Sequence, residues 1–82
     1  MYRALRRRHQ ITETSRKILS ENLIRYRTEN NMSREHLALL CCVDIKYLSR
    51  IEWGTANTSL DILDKISNGT GIPAWELLIE QK

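Results

Sequence analysis

The sequence predicts an all-α fold, a compact bundle of five short helices behind a basic N-terminal extension, and three observations carry that prediction. The chain has 82 residues, enough for one small domain with a marginal core, which short packed helices can supply. Apolar residues recur at helical spacing in successive short segments. Hydroxyl and carboxylate residues suited to helix N-caps, and Asn, Gly and Pro suited to helix boundaries, punctuate those segments. The expected organisation is a basic arm over residues 1–13 followed by a single helical domain over residues 14–82.

Residues 1–10 are basic, with Tyr2 and Leu5 as their apolar side chains. Such a segment reads either as a solvated arm or as one whose Arg3, Arg6, Arg7 and Arg8 lie along phosphates or in a minor groove. The two readings agree if the arm orders only on nucleic acid. The first helix opens at Thr14 or Ser15 and continues to about Asn30, with Ile18, Leu19, Leu23 and Tyr26 as its buried stripe and Ile24 at the edge. Asn30 and Asn31 stop it, because asparagine tolerates the left-handed conformation. Met32 then packs under the turn.

Ser33 caps a second helix, from Arg34 to about Cys41, whose Leu37, Ala38 and Cys41 face the core and whose Glu35 suits the positive end of the dipole. Asp44 caps a third, about Ile45 to Trp53. At about 100° per residue, Tyr47, Leu48 and Ile51 fall on one side of it, and Ile45, Lys46, Ser49, Arg50 and Trp53 on the other. The first side is core and the second is a polar face. Between the two caps there is room for roughly two helical turns and a short turn, which is the spacing of a DNA-binding helix-turn-helix. In that motif the third helix lies in the major groove with its first turns nearest the bases. Lys46 and Arg50 can then donate to guanine O6 and N7 with Ser49 between them, while Ile45 can touch a thymine methyl. As isolated residues Lys46 and Arg50 would read as a solvated face; the motif is what favours contact with bases or phosphates.

Gly54 should end the third helix in the left-handed conformation, with a loop over residues 55–58. Thr58 or Ser59 caps the fourth, whose Leu60, Leu63 and Ile66 line the core along with Ile62, and Asn68, Gly69 and Gly71 end it. Pro73 fits the first turn of a fifth helix, where a missing amide costs nothing. Trp75, Leu77, Leu78 and Ile79 follow as a short amphipathic run, and a domain this small cannot bury all four.

Taken together, Ser33-x-Glu35-x-Leu37-Ala38, then Val43, then Tyr47-Leu48-Ser49-Arg50-Ile51-Glu52-x-Gly54, then Asn57-x-Ser59-Leu60 resembles the Cro and phage-repressor type helix-turn-helix domain of the xenobiotic-response-element family, over about residues 19–78. The resemblance implies a lambda-repressor-like fold and an ion pair between Arg27 and Glu52 that ties the first helix to the third. In the loop, Thr55, Ala56 and Thr58 stand where the family commonly has basic residues and a proline, so phosphate contacts there fall to Thr55, Asn57 and backbone amides, and Arg34 is expected to contact a phosphate as well. At the C-terminal end the resemblance implies a two-fold dimer contact, to which Trp75, Leu78 and Ile79 would belong unless Trp75 simply closes the monomer core. Some positions depart from the pattern. Leu39 and Leu40 replace charged residues, which fits a fold-back of the extension with its Leu5 and Ile11, a protein partner, or plain exposure. Cys42 replaces the glycine common in the turn, at a cost of about 1 kcal/mol if φ is positive. Trp53 replaces a polar residue and would pack near the sugar-phosphate backbone or the loop.

Charge is unevenly placed. Residues 1–27 hold eight Arg or Lys against two Glu, and the remainder holds five against eight, so +6 precedes −3. A nucleic-acid binder needs cations to displace phosphate counterions, and the front third supplies them. No apolar run approaches the ~20 residues of a membrane span, and the N-terminus lacks the apolar segment of a signal peptide, so a cytoplasmic location is expected. Cys41 and Cys42 are adjacent, and neither they nor His9 and His36 complete a metal set. The plain reading is a small core residue and a turn residue, with a redox switch unsupported. No Ser/His/Asp, Cys/His or metal constellation is present, so neither an enzyme nor a cofactor is expected. The expected function is a sequence-specific regulator, a repressor, that binds double-stranded DNA as a homodimer at least on DNA. The alternative is a protein-interaction module such as the antitoxin of a toxin–antitoxin pair. Phage repressors, restriction–modification controllers and antitoxins share this type of domain, so the resemblance assigns no pathway.

Overall fold

Four helices begin where a side-chain oxygen meets an otherwise orphaned backbone amide. Thr14 accepts from the Lys17 amide, Ser33 from that of His36, Asp44 from that of Lys46 and Ser59 from that of Ile62. The computed structural model describes residues 14–81, and these caps open α1 (Ser15–Glu29), α2 (Arg34–Cys41), α3 (Ile45–Glu52) and α4 (Leu60–Thr70). Pro73 precedes a single-turn α5 (Ala74–Leu77), whose start needs no amide at that position. The expectations for residues 1–13, including the fold-back of Leu5 and Ile11, lie outside the described residues.

Helix ends use the left-handed region. Asn31 has φ 55° and Cys42 φ 58°, while Gly54 and Gly71 have φ 78° and 80°. Cys42 therefore does what a glycine would do in the turn between α2 and α3, and carries the side-chain penalty of about 1 kcal/mol. The turn is closed by the amides of Cys42 and Val43, which donate to Leu39 O and Ala38 O. The exposed Cys42 side chain leaves the buried partner, Cys41, to fill the core. Burial, with a smaller contribution from Cys42, pushes the Cys41 thiol up to about 11, so it stays a neutral, apolar-like group at ordinary pH.

α2 packs against both α3 and α4, while α1 packs against α3 and α5. Leu23, Leu37, Leu48, Ile51, Ile66 and Leu77 are fully buried where these helices meet. Each comes from the stripe expected for its helix. Ile24 is half-buried, as expected at the edge of its stripe, but Ile18 and Tyr26 are only half-buried too, and α1 buries Ser20 and Asn22 instead. Both flank the Leu19–Leu23 stripe on the helical wheel, and both satisfy their polar atoms internally.

Two expectations for α4 are corrected. Leu60 is 78% exposed although its spacing puts it on the face of Leu63. It is the first residue of the helix, and side chains lean toward the helix N-terminus, so it projects past the bundle and rims a groove shared with Leu19 and Leu78. Asn68 and Gly69 do not end the helix, which continues to Thr70 and caps at Gly71. Gly69 has another purpose: a Cβ there would lie 2.7 Å from Cys41 Cα and 2.7 Å from Leu40 O. Only a residue without a side chain lets the backbones of α2 and α4 approach this closely. Gly69→Ala should lower stability to urea by about 1–3 kcal/mol, despite the intrinsic gain of about 1 kcal/mol for alanine in a helix. A variant more stable than the parent would show that the two backbones are not held this tightly.

Candidate nucleic-acid interface

The two faces of α3 are set by what its inner arc has to bury. Leu48, Ile51 and Glu52 are buried together, and at about 100° per residue they leave Lys46, Ser49 and Arg50 on the opposite arc. Lys46 and Arg50 are exposed and Ser49 is half-buried. Ile45 and Tyr47 flank the two arcs, each half-buried and packed on the core. The wheel places Ile45 outward and Tyr47 inward; in the fold both sit at the border, because the buried arc is centred on Leu48 and Glu52 as well as Ile51. α3 itself stops at Glu52, with Trp53 as its C-cap.

The outer face is tied to the loop that follows it. The Tyr47 hydroxyl donates to Asn57 O at 3.0 Å, and the Arg50 guanidinium carbon lies 6.0 Å from the centroid of the Tyr47 ring. Such an exposed cation–π contact is worth about 0.5–1 kcal/mol, enough to bias where the guanidinium points. The amides of Thr55 and Ala56 both donate to Arg50 O, at 3.0 and 3.2 Å, and the Thr55 hydroxyl donates to the same carbonyl at 3.3 Å. Thr55 and Asn57 are thus exposed beside the helix face, on a loop fastened to it.

Behind the face lies Glu52, whose side chain is 1% exposed. Arg27 donates to it through Nε at 2.7 Å to Oε2 and through Nη2 at 3.1 Å to Oε1, and spends Nη1 on Met32 O at 3.2 Å. Arg34 adds a third bond, Nε to Oε1 at 2.9 Å. The Ser20 hydroxyl donates to the Glu52 backbone carbonyl. Two guanidinium groups on one carboxylate leave one positive charge in surplus, and Arg34, with its side chain 43% exposed against 17% for Arg27, is the more solvent-facing of the two. The resemblance implies the Arg27 contact. For Arg34 the expectation is only a phosphate contact, whereas here it is first a second anchor for Glu52.

The other expected contact residues lie elsewhere. Leu39 and Leu40 are exposed on the outer side of α2, and Trp75, Leu78 and Ile79 are exposed at the C-terminal end. Trp75 therefore does not close the core; Leu77 does, fully buried, because a single helical turn can aim only one of these side chains inward. Asn22 fixes this segment. Its Nδ2 donates to Leu77 O at 2.8 Å and Ile79 O at 3.0 Å, and its Oδ1 accepts from Arg25 Nη1 at 2.8 Å. Arg6, Arg7 and Arg8 lie outside the described residues. Among the described residues no group of three or more His, Cys, Asp or Glu side chains is placed to hold a metal ion, and no helix is long and apolar enough to cross a membrane.

Comparison with known proteins gives the same architecture. A family model described as helix-turn-helix matches residues 23–75. The control protein C.BamHI of Bacillus amyloliquefaciens is 45% identical over 51 residues, covering 62% of this chain and 63% of that protein. A hypothetical transcription factor of Neisseria meningitidis serogroup B is 31% identical over 64 residues, covering 78% of this chain and 60% of that protein. This chain thus spans about three fifths of the length of these two relatives. The crystal structure of a hypothetical transcription factor, NHTF, from Neisseria superposes with a TM-score of 0.77 at 27% identity, over 88% of this chain and 85% of that one.

The Glu52 cluster yields an ordered pair of outcomes. Arg27→Ala removes two of the three side-chain bonds to a buried carboxylate and should cost about 3–5 kcal/mol in urea unfolding. Arg34→Ala removes a half-exposed partner and should cost less. If Arg34→Ala proved the costlier change, the carboxylate would be held chiefly from α2 and not from α1.

Proposed function

The chain belongs to the Cro/C1-type helix-turn-helix family, and from that membership we propose that it is a sequence-specific DNA-binding transcriptional regulator that represses by occupying its operator. The observation that carries the reading is the outer arc of α3, where Lys46, Ser49 and Arg50 project from a helix whose opposite arc is locked into the core by Leu48, Ile51 and Glu52. A short rigid rod with a cationic, hydrogen-bonding face is what a major groove accepts. The control protein and the transcription factor among its relatives are named as regulators, which supports the same role here.

In this reading Lys46, Ser49 and Arg50 discriminate bases, and Ile45, at the border of the face, reaches a thymine methyl from its half-buried position. Arg34, the more solvent-facing partner of Glu52, contacts a phosphate, with Thr55 and Asn57 beside it on the loop. Arg6, Arg7 and Arg8 supply further phosphate neutralisation from the basic arm. Trp75, Leu78 and Ile79 form the contact between two copies on DNA, which sets half-sites one helical turn, ~34 Å, apart. The chain works without a cofactor, in the cytoplasm, as a binding protein and not an enzyme. A second reading, a module that covers a protein partner in the manner of an antitoxin, draws on the exposed Leu39 and Leu40. Co-purification together with a mobility-shift titration separates the two, since a stable protein complex with no salt-sensitive DNA binding favours the second.

Selection of binding sites from random duplexes should return a near-palindromic motif containing guanine. Against a duplex so recovered, Arg50→Ala should lose about 1–3 kcal/mol and relax the preference at the base it reads. Equal affinity of the parent and Arg50→Ala would sink the assignment. Neutralising Arg6, Arg7 and Arg8 together should instead weaken every duplex and flatten the dependence of log K on log salt, by up to about 0.9 for each phosphate no longer neutralised. A change in base preference from that variant would argue against a backbone role.

A further inference from the structure

Trp53 lies on the same arc of α3 as Lys46 and Arg50, seven positions after Lys46 and so about two turns along the helix. The residue is 64% exposed, so it is not packed away on the loop. The backbone beneath it is firmly held: the Trp53 amide donates to Ser49 O at 2.9 Å, and the chain then reverses through Gly54 so that the next two amides return to Arg50 O. The indole therefore projects from a fixed cap. A lone exposed apolar side chain is ordinary on a protein surface; this one stands in register with the cationic face.

An α-helix rises about 1.5 Å per residue, which puts residue 53 about 10 Å along the axis from Lys46, and the major groove of B-DNA is about 12 Å wide. A helix whose first turn lies over base edges thus brings its C-terminal end to the groove wall. That wall presents deoxyribose carbons and phosphate oxygens. An indole matches both, with an apolar face for the sugar and an Nε1–H for a phosphate oxygen. No Lys or Arg occurs between Arg50 and Lys65; in the fold Arg16 of α1 reaches this loop, its Nε donating to Ala56 O at 3.2 Å.

We infer that Trp53 is a DNA-backbone contact, its ring against a deoxyribose and its Nε1–H on the adjoining phosphate at the C-terminal end of α3. The inference rests on the reading of α3 as a major-groove helix. It adds a residue that positions the protein on the duplex without reading sequence.

The two tryptophans, Trp53 and Trp75, make the test direct. With 5-fluorotryptophan incorporated, Trp53→Phe assigns the fluorine resonance of residue 53 in the full chain. On adding a duplex selected with the parent protein, that resonance should shift and lose its sensitivity to exchange of H2O for D2O. Trp53→Ala should weaken the selected duplex and an unrelated duplex alike, by about tenfold, with Trp53→Phe recovering part of the loss and the selected motif unchanged. Parent binding with no change at the residue 53 resonance, or equal affinity of Trp53→Ala, overturns the inference alone. A changed base preference in Trp53→Ala also overturns it, since the indole would then be reading bases. A parent chain that binds no duplex overturns the reading of α3, and the inference falls with it.

Discussion

A carboxylate with 1% of its side chain exposed has to find donors inside the protein, and at Glu52 they arrive from two other helices. Arg27 reaches it from α1 with two bonds and Arg34 from the start of α2 with one. Apolar packing of Leu48 and Ile51 would by itself tolerate small rotations of α3, because dispersion and burial have no strong direction. A two-pronged guanidinium contact does have one. The cluster converts a helix that merely packs into a helix held at one rotation, and the Ser20 hydroxyl on the Glu52 carbonyl restrains the same point through the backbone.

The outward face of α3 follows from that restraint. Once Leu48, Ile51 and Glu52 take the inner arc, Lys46, Ser49, Arg50 and Trp53 are left to the outer one, with Ser49 half-buried and the other three exposed. The borders are held by Ile45 and by Tyr47, which is fastened to the loop through Asn57 O. The turn that sets the entry of α3 is made by a non-glycine residue at φ 58°, so its small strain is carried by contacts on both sides, including the close approach of α4 to α2 at Gly69. A rigid outer face on α3 and a tolerated unfavourable turn are two consequences of the same packing.

The C-terminal end is built differently. α5 is one turn long and buries Leu77 alone, so order beyond it depends on Asn22, which holds the carbonyls of Leu77 and Ile79 from α1. That anchoring keeps Trp75, Leu78 and Ile79 outward as a patch on the segment that packs against α4 and α1.

Much of this was legible in the chain itself. The caps at Ser33 and Asp44, and those narrowed to Thr14 or Ser15 and to Thr58 or Ser59, are local chemistry, each depending on one oxygen and an amide two or three residues away, and so are the stripes of Leu37, Ala38 and Cys41 or Leu48 and Ile51. They determined five helices, their order and the polar residues of α3. What only the tertiary structure decided are features that depend on residues distant in sequence. Leu60 and Gly69 have ordinary local patterns, and their roles differ because one helix end overhangs the bundle while another backbone passes within 2.7 Å of where a side chain would be. Arg34 becomes an anchor for Glu52, and Asn22 a clamp on the C-terminal turn, only when the helices are assembled. Periodicity along one helix reports which side is inward, whereas a polar atom's partner is set by the neighbour that packing brings to it.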